Sequence, residues 1–200
     1  LGKNEYEIIG KFKGSELAGT EYEQLIPWVS PYVNEGDFKS PKGDLGGPFR
    51  VITGDFVTTE DGTGIVHIAP TFGADDDRVA KQNDVPPLLM FDVDGNRQPM
   101  VDRSGRFFRI EDLDAQFVKD NVNTDLYAEF AGRYVKNAYD ATLTESDETL
   151  DVSICIMLKQ QGLAYKIEKH THSYPHCWRT DKPVLYYPLD SWFIRTTACR

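Results

Sequence analysis

Apolar and polar positions alternate over residues 6–12 and 49–58, and both stretches are predicted strands. The second has Val51, Phe56 and Val57 around Gly54. Residues 64–68 form a short apolar run interrupted by His67, a third predicted strand. Pro70 ends it, because proline has no N–H to give to a ladder. The Asp61-Gly62 turn signal between the last two strands predicts that they pair as a hairpin. Strand alternation would place Ile65, His67 and Ala69 on one face and Val66 and Ile68 on the other. With Val66 and Ile68 inward, His67 would point to the opposite face, where a groove could lie.

Further strands are predicted over 88–93 and 107–110, the first followed by the hairpin signal Asp94-Gly95-Asn96. Extended segments are expected over 163–168, 184–187 and 192–196, and at the start of 169–180. Helical spacing is clearest over 145–161, where Leu150, Ile154, Met157 and Leu158 share a face. Thr144 or Ser146 would cap that helix, and Gly162 would end it. Arg78 begins a short helix that Pro86 and Pro87 stop. Residues 112–118 start another, with Leu113, Phe117 and Val118 inward. Residues 27–49 are rich in proline and glycine and are expected to be loop, with Trp28 and Tyr32 as packing anchors. Strands outnumber helices and do not alternate with them regularly. The predicted fold is α+β, a mostly antiparallel, barrel-like domain with a few peripheral helices.

Composition changes this picture little. The 200 residues are 40% hydrophobic and 27% charged, enough for one globular domain with a core. No stretch approaches the length of a membrane helix, so no membrane partner is expected. A net charge of −10 argues against a general nucleic-acid binder but not against a few local contacts to an RNA end. Cys155, Cys177 and Cys199 form no CxxC pair and no disulfide framework, which fits a reducing cytoplasm.

Candidate chemistry concentrates in DGTGIVHIAPTFGADDDR, residues 61–78. Gly73 loosens the loop before three acids, Asp75, Asp76 and Asp77. Acids at a helix start are favoured by the helix dipole and can cap free N–H groups. One of them can instead face a pocket and hold a cation such as a ligand ammonium. His67 is either a hydrogen-bonded structural residue or part of that pocket. Gly62, Thr63 and Gly64 would bring backbone close to a ligand. Thr71 and Phe72 are either pocket walls or ordinary loop packing. A second cluster, His170, His172, His176 and Cys177, could hold zinc, but Tyr174-Pro175 bends the chain inside it and no second cysteine pair is present. The Asp92-x-Asp94-Gly95 pattern lacks the glutamate of a calcium loop, since Arg103 stands at the twelfth position. Trp178, Trp192 and Phe193 are expected as core or domain-junction aromatics.

GTGIVHIAP followed by FGADD resembles the signature of the editing domain inserted in isoleucyl-tRNA synthetases, which are class I enzymes. The related valyl pattern, GTGAVKITPAHD, and leucyl pattern, GTGAVMGVPAHD, fit less well. HSYPHCWRTDKPVLYYPLDSWFI, residues 172–194, is similar to the segment by which that domain returns to the synthetase body. Shorter matches are GKFKGSELAGTEYEQL and VITGDFVTTEDGTG, so the resemblance spans nearly the whole chain in order.

The resemblance implies one editing domain over 1–200, with 188–200 returning toward the catalytic domain. It implies hydrolysis of valine wrongly joined to isoleucine tRNA, with valyl-adenylate as a further candidate substrate. Asp76 would bind the free α-amino group of the misattached amino acid, with Asp75 the neighbour most easily confused with it. The residue matching His67 would help shape the pocket and exclude isoleucine. Asp77 departs from the aromatic residue common there and suits a solvated helix start. The partners would be the valine-bearing 3′ end of the tRNA and the rest of the synthetase chain. No cofactor is expected in this domain, since ATP and magnesium belong to the catalytic domain, whose HIGH and KMSKS motifs do not occur in these residues. The family's threonine-rich pocket stretch, of the type TTTPWT, is also not found here. A non-catalytic module that binds the tRNA acceptor end is therefore the alternative.

Overall fold

The computed structural model describes residues 5–30, 47–60, 63–144, 146–169, 171, 173–189, 191–192 and 194–199. Its best-packed part is built around Trp28. The indole stacks on Phe130 at 4.3 Å and meets Phe107 edge-on at 5.7 Å. Val29, Met90, Leu113, Phe117, Tyr127 and Leu150 complete the buried cluster. Two backbone bonds hold the Trp28 segment in place: Ser30 N–H donates to the Asn121 carbonyl, and Asn123 N–H donates to the Trp28 carbonyl, each at 2.8 Å. Buried Tyr127 donates its hydroxyl to the Phe108 carbonyl at 2.7 Å. That bond satisfies the one polar atom the ring carries inward, and burial pushes the phenol well above its ordinary pKa.

Around this core lie helix α1 (Ala74–Gln82), strands β1 (Leu89–Phe91) and β2 (Arg97–Pro99), and helices α2 (Ala115–Asn121), α3 (Thr124–Tyr127) and α4 (Leu150–Gln160). β1 and β2 pair antiparallel with Met90 opposite Gln98. Their turn falls where Asp94-Gly95-Asn96 predicts it, with Gly95 at φ +76°. Asp92 accepts from the Asn96 and Asp94 N–H groups and from the Gln98 amide, so its carboxylate closes the turn. Asp102 repeats the device one hairpin later, accepting from the Ser104 N–H and hydroxyl and from the Arg106 N–H. Gly105 takes the left-handed position there, at φ +85°.

The α+β class is as expected. The described residues hold one two-stranded sheet and isolated antiparallel bridges, with no closed barrel among them. Several predicted strand regions differ. Residues 49–51 do not pair with 64–68; they zip onto residues 19–22, through Val51 N–H to the Thr20 carbonyl and Tyr22 N–H to the Phe49 carbonyl. Beyond them the Phe56 ring folds back over Gly54, whose missing Cβ would lie 2.9 Å from it, and residues 55–56 form a turn in place of a strand. Residues 6–12 have no ladder partner among the described residues, and Ile9 is 95% exposed. The described residues of 163–168, 184–187 and 192–196 are likewise not in strands, and Thr196–Cys199 is a short 3-10 turn. Alternation predicts a strand only where an apolar surface waits to be covered; here Tyr165, Leu189 and Ile194 stay exposed.

The helices are nearer to expectation. α4 begins at Leu150, with Thr149 as its cap, later than predicted. Thr144 is engaged elsewhere: its N–H and hydroxyl both bond the Asp147 carboxylate, closing a separate turn. Gly162 follows the helix at φ +72°. Leu150, Ile154 and Met157 do face the core. Leu113 and Phe117 are buried as predicted, and Asp114 caps α2 by accepting from Phe117 N–H at 2.8 Å. Tyr32 lies outside the described residues.

Candidate functional site

The site stretch runs from an exposed segment into α1. Gly62 lies outside the described residues. Thr63 is exposed, and its hydroxyl bonds both the N–H and the carbonyl of Ile65, closing a local turn. Gly64 sits at φ +76°, a conformation that favours glycine. A Cβ there would come within 3.3 Å of the Thr59 methyl. The predicted two-faced strand is not formed: Ile65 (67%) and Val66 (53%) are both exposed, and so is His67. Without a pairing strand the alternation has no sheet to express it.

Ala69 to Phe72 then form a tight turn, with Phe72 N–H donating to the Ala69 carbonyl at 2.9 Å. Thr71 and Phe72 are half-buried, so both lie against the loop rather than in open solvent. α1 starts four residues earlier than Arg78, which places all three acids in its first turn. They point to different partners. Asp75 is exposed and pairs with Arg78 at 3.3 Å. Asp77 pairs with Lys81, one turn on, at 2.8 Å. Asp76 is half-buried and turns back over the loop, accepting from Ala69 N–H through Oδ2 at 3.2 Å. Among the described residues no donor reaches its other oxygen, Oδ1.

Two arginines fasten α1 to the 49–58 stretch. Arg78 bonds Asp55 at 3.1 Å, and this hydrogen bond and charge hold the Asp55 carboxyl below its ordinary pKa. Arg50 donates to the Asn83 carbonyl at the far end of the helix. The helix stops there because Asn83 turns its side-chain amide onto the Val79 carbonyl and Asp84 adopts a left-handed φ of 54°.

Ala69 and Arg78 belong to this arrangement although residue type alone gives them no role in a site. Gly73 enters it through its small size. It is extended, with φ −158°, and fits the close approach of the Asp76 carboxylate. The only sequence signal for it is a small residue directly before a helix that begins with acids.

The second candidate cluster is partly described. His170 and His172 lie outside the described residues. His176 shares its Nδ1 with the Tyr174 carbonyl at 2.7 Å and bridges to Pro183. Cys177 sits in the turn that follows, where the Thr180 hydroxyl and backbone N–H groups favour its thiolate and lower its pKa. Among the described residues no three metal-binding side chains come together. Trp178 and Trp192 are not core residues: they are 85% and 103% exposed, and Arg179 stacks on the Trp178 ring at 4.4 Å. Phe193 lies outside the described residues. No helix among the described residues is long and apolar enough to cross a membrane.

No family model matches the chain. Curated relatives do. The isoleucine–tRNA ligase of Porphyromonas gingivalis is 65% identical over 195 residues, 98% of this chain and 16% of that protein. That of Bacteroides fragilis is 60% identical over the same shares. That of Clostridium acetobutylicum is 39% identical over 99% of this chain and 14% of its own length. The chain thus spans about one sixth of the length of the curated relatives it matches. Identity at this level along nearly every residue places the chain, as one segment, in the isoleucine–tRNA ligase family.

Proposed function

We propose that the chain is the editing segment of an isoleucyl-tRNA synthetase, and that it hydrolyses valine misattached to isoleucine tRNA. The carrying observation is Asp76, anchored through Oδ2 on the turn that also holds half-buried Thr71 and Phe72, with no donor among the described residues on Oδ1. An anchored carboxylate suits the α-ammonium of an aminoacyl ester, since the charged hydrogen bond is strong and directional. Such a site is needed because isoleucine and valine differ by one methylene, worth about 1–3 kcal/mol in a pocket; this enzyme class is the standard example of that limit. A second, smaller sieve that admits valine supplies the remaining discrimination.

In this reading Asp76 would anchor the amino acid, and no protein nucleophile is called for. The chemistry that fits is attack by a water held near the ester, where positioning does most of the work. His67, exposed on the segment before the turn, would limit the size of the amino-acid side chain. Barrel closure around the pocket, the tRNA 3′ end and the synthetase body belong to the same proposal, as does a cytoplasmic location. ATP and magnesium would serve the rest of the enzyme.

The test is deacylation of valyl-tRNA(Ile) by the chain, with isoleucyl-tRNA(Ile) and Asp76→Ala as controls. Loss of valine alone, abolished by the substitution, is the expected result. Equal hydrolysis of both esters, or tRNA binding without hydrolysis in the full-length ligase as well, would sink the proposal and leave a binding module.

A further inference from the structure

We propose that Gly73 and the Ala69 N–H are positioning residues that aim the Asp76 carboxylate at the ligand ammonium. The inference rests on the reading of Asp76 given above and adds what sets its direction.

A carboxylate in the first turn of a helix has an easier fate than facing a ligand. It can point to solvent or pair along the helix, as Asp75 and Asp77 do with Arg78 and Lys81. Asp76 does neither. Its carboxylate lies back across Gly73, over the turn that joins the His67 segment to α1, and receives Ala69 N–H at 3.2 Å. The space it occupies exists only because residue 73 has no side chain. A Cβ on Gly73 would lie 2.9 Å from Asp76 Oδ2 and 3.1 Å from its Cγ, closer than non-bonded carbon and oxygen tolerate. Backbone conformation does not require a glycine there: φ is −158°, which any residue adopts. The glycine is a matter of room for one particular carboxylate.

The two constraints are complementary. The Ala69 N–H fixes one oxygen, and the missing Cβ sets the side on which the group lies. Together they leave Oδ1 with a defined direction. A charged hydrogen bond depends on such direction, and a displaced carboxylate loses much of it.

The test uses the full-length ligase that carries this segment. Its ability to charge isoleucine onto tRNA reports that the enzyme body is intact, and binding of the conjugate without the amino group reports that the segment itself is folded. Binding of two non-hydrolysable adenosine conjugates is compared, one bearing valine and one bearing the same acyl chain without the amino group. Wild type should prefer the amino-bearing conjugate by about ten- to a hundredfold, the range for a hydrogen bond to a charged group. Gly73→Ala should erase most of that preference and leave binding of the deamino conjugate within about twofold, since only the ammonium contact is touched.

Ala69→Pro is the second variant. It deletes the N–H and sets its ring Cδ where the donated hydrogen pointed, so Asp76 Oδ2 loses its anchor and is pushed from its place, and Ala69 precedes Pro70, so its backbone is already biased to the extended region. It should have the same selective effect. If wild type shows no preference, the reading of Asp76 fails, whatever Gly73 does. If wild type shows it and both variants keep it, the positioning role is overturned while that reading stands. Equal weakening of both conjugates in both variants overturns it too, since that is the mark of a general structural role.

Discussion

The packed body and the candidate site are built on opposite terms. In the body, around Trp28, large side chains interlock and hydrogen bonds serve mainly to satisfy what is buried. In the site stretch, residues 63–78, the side chains are exposed or half-buried, and shape comes from single bonds, such as Ala69 to Asp76 and Arg78 to Asp55. A body of the first kind tolerates changes that keep volume. A site of the second kind tolerates changes that keep one direction. Damage should therefore show as lost stability in the first and as lost function in the second.

The largest effect that sharpens this contrast is expected at Phe130, 1% exposed and stacked on Trp28. Phe130→Ala should cost about 3–5 kcal/mol in denaturant unfolding, through lost burial and the cavity left behind. Asp76→Asn should do the reverse. The asparagine oxygen can still accept from Ala69 N–H, so the fold should hold, while ligand binding drops by about 1.5–3 kcal/mol as the charged hydrogen bond is lost. A large drop in unfolding stability for Asp76→Asn, with ligand binding intact, would break the comparison. Thr149→Ala removes the α4 cap, whose hydroxyl accepts from Val152 N–H at 3.4 Å. It should cost about 1 kcal/mol or less, because that bond is long.

The smallest effect is acid sensitivity in the body. Burial opposes the charge on Asp102, but the Ser104 hydroxyl, the Arg106 and Ser104 N–H groups and the Arg106 charge together outweigh it, and its pKa is lowered. A lowered folded-state pKa stabilises above the unfolded value, and that contribution fades as pH falls through the folded one. Unfolding measured from pH 7 to pH 3 should lose stability below about pH 4, the ordinary aspartate range, and Asp102→Asn should flatten that loss.

The sequence patterns are legible where the chain packs against itself locally. Leu150, Ile154 and Met157 mark α4 because a helix carries its own hydrogen bonds and needs only a surface for one face. Asp94-Gly95-Asn96 marks its hairpin because the turn demands a left-handed glycine. The pairing of 49–51 with 19–22 is not legible, since strands of similar pattern compete for partners and only tertiary packing decides among them. In the site, the choice among three neighbouring acids rests on helix phase. Moving the helix start from Arg78 to Ala74 is what assigns Asp75 and Asp77 to ion pairs and turns Asp76 inward.

Trp28 has a kinetic consequence. Its segment meets the body through a bridge between Val29 and Val122, about ninety residues apart along the chain. The hairpin and the short helices of 88–161 rest largely on contacts between near neighbours, which form before a loop of that length closes. Trp28 should then seat late, after the folding barrier is crossed, and act as a latch. Interactions made after the barrier govern how fast a protein opens rather than how fast it forms. Stopped-flow measurements on Trp28→Phe should show faster unfolding at nearly unchanged refolding; a slowed refolding limb would instead put Trp28 in the folding nucleus.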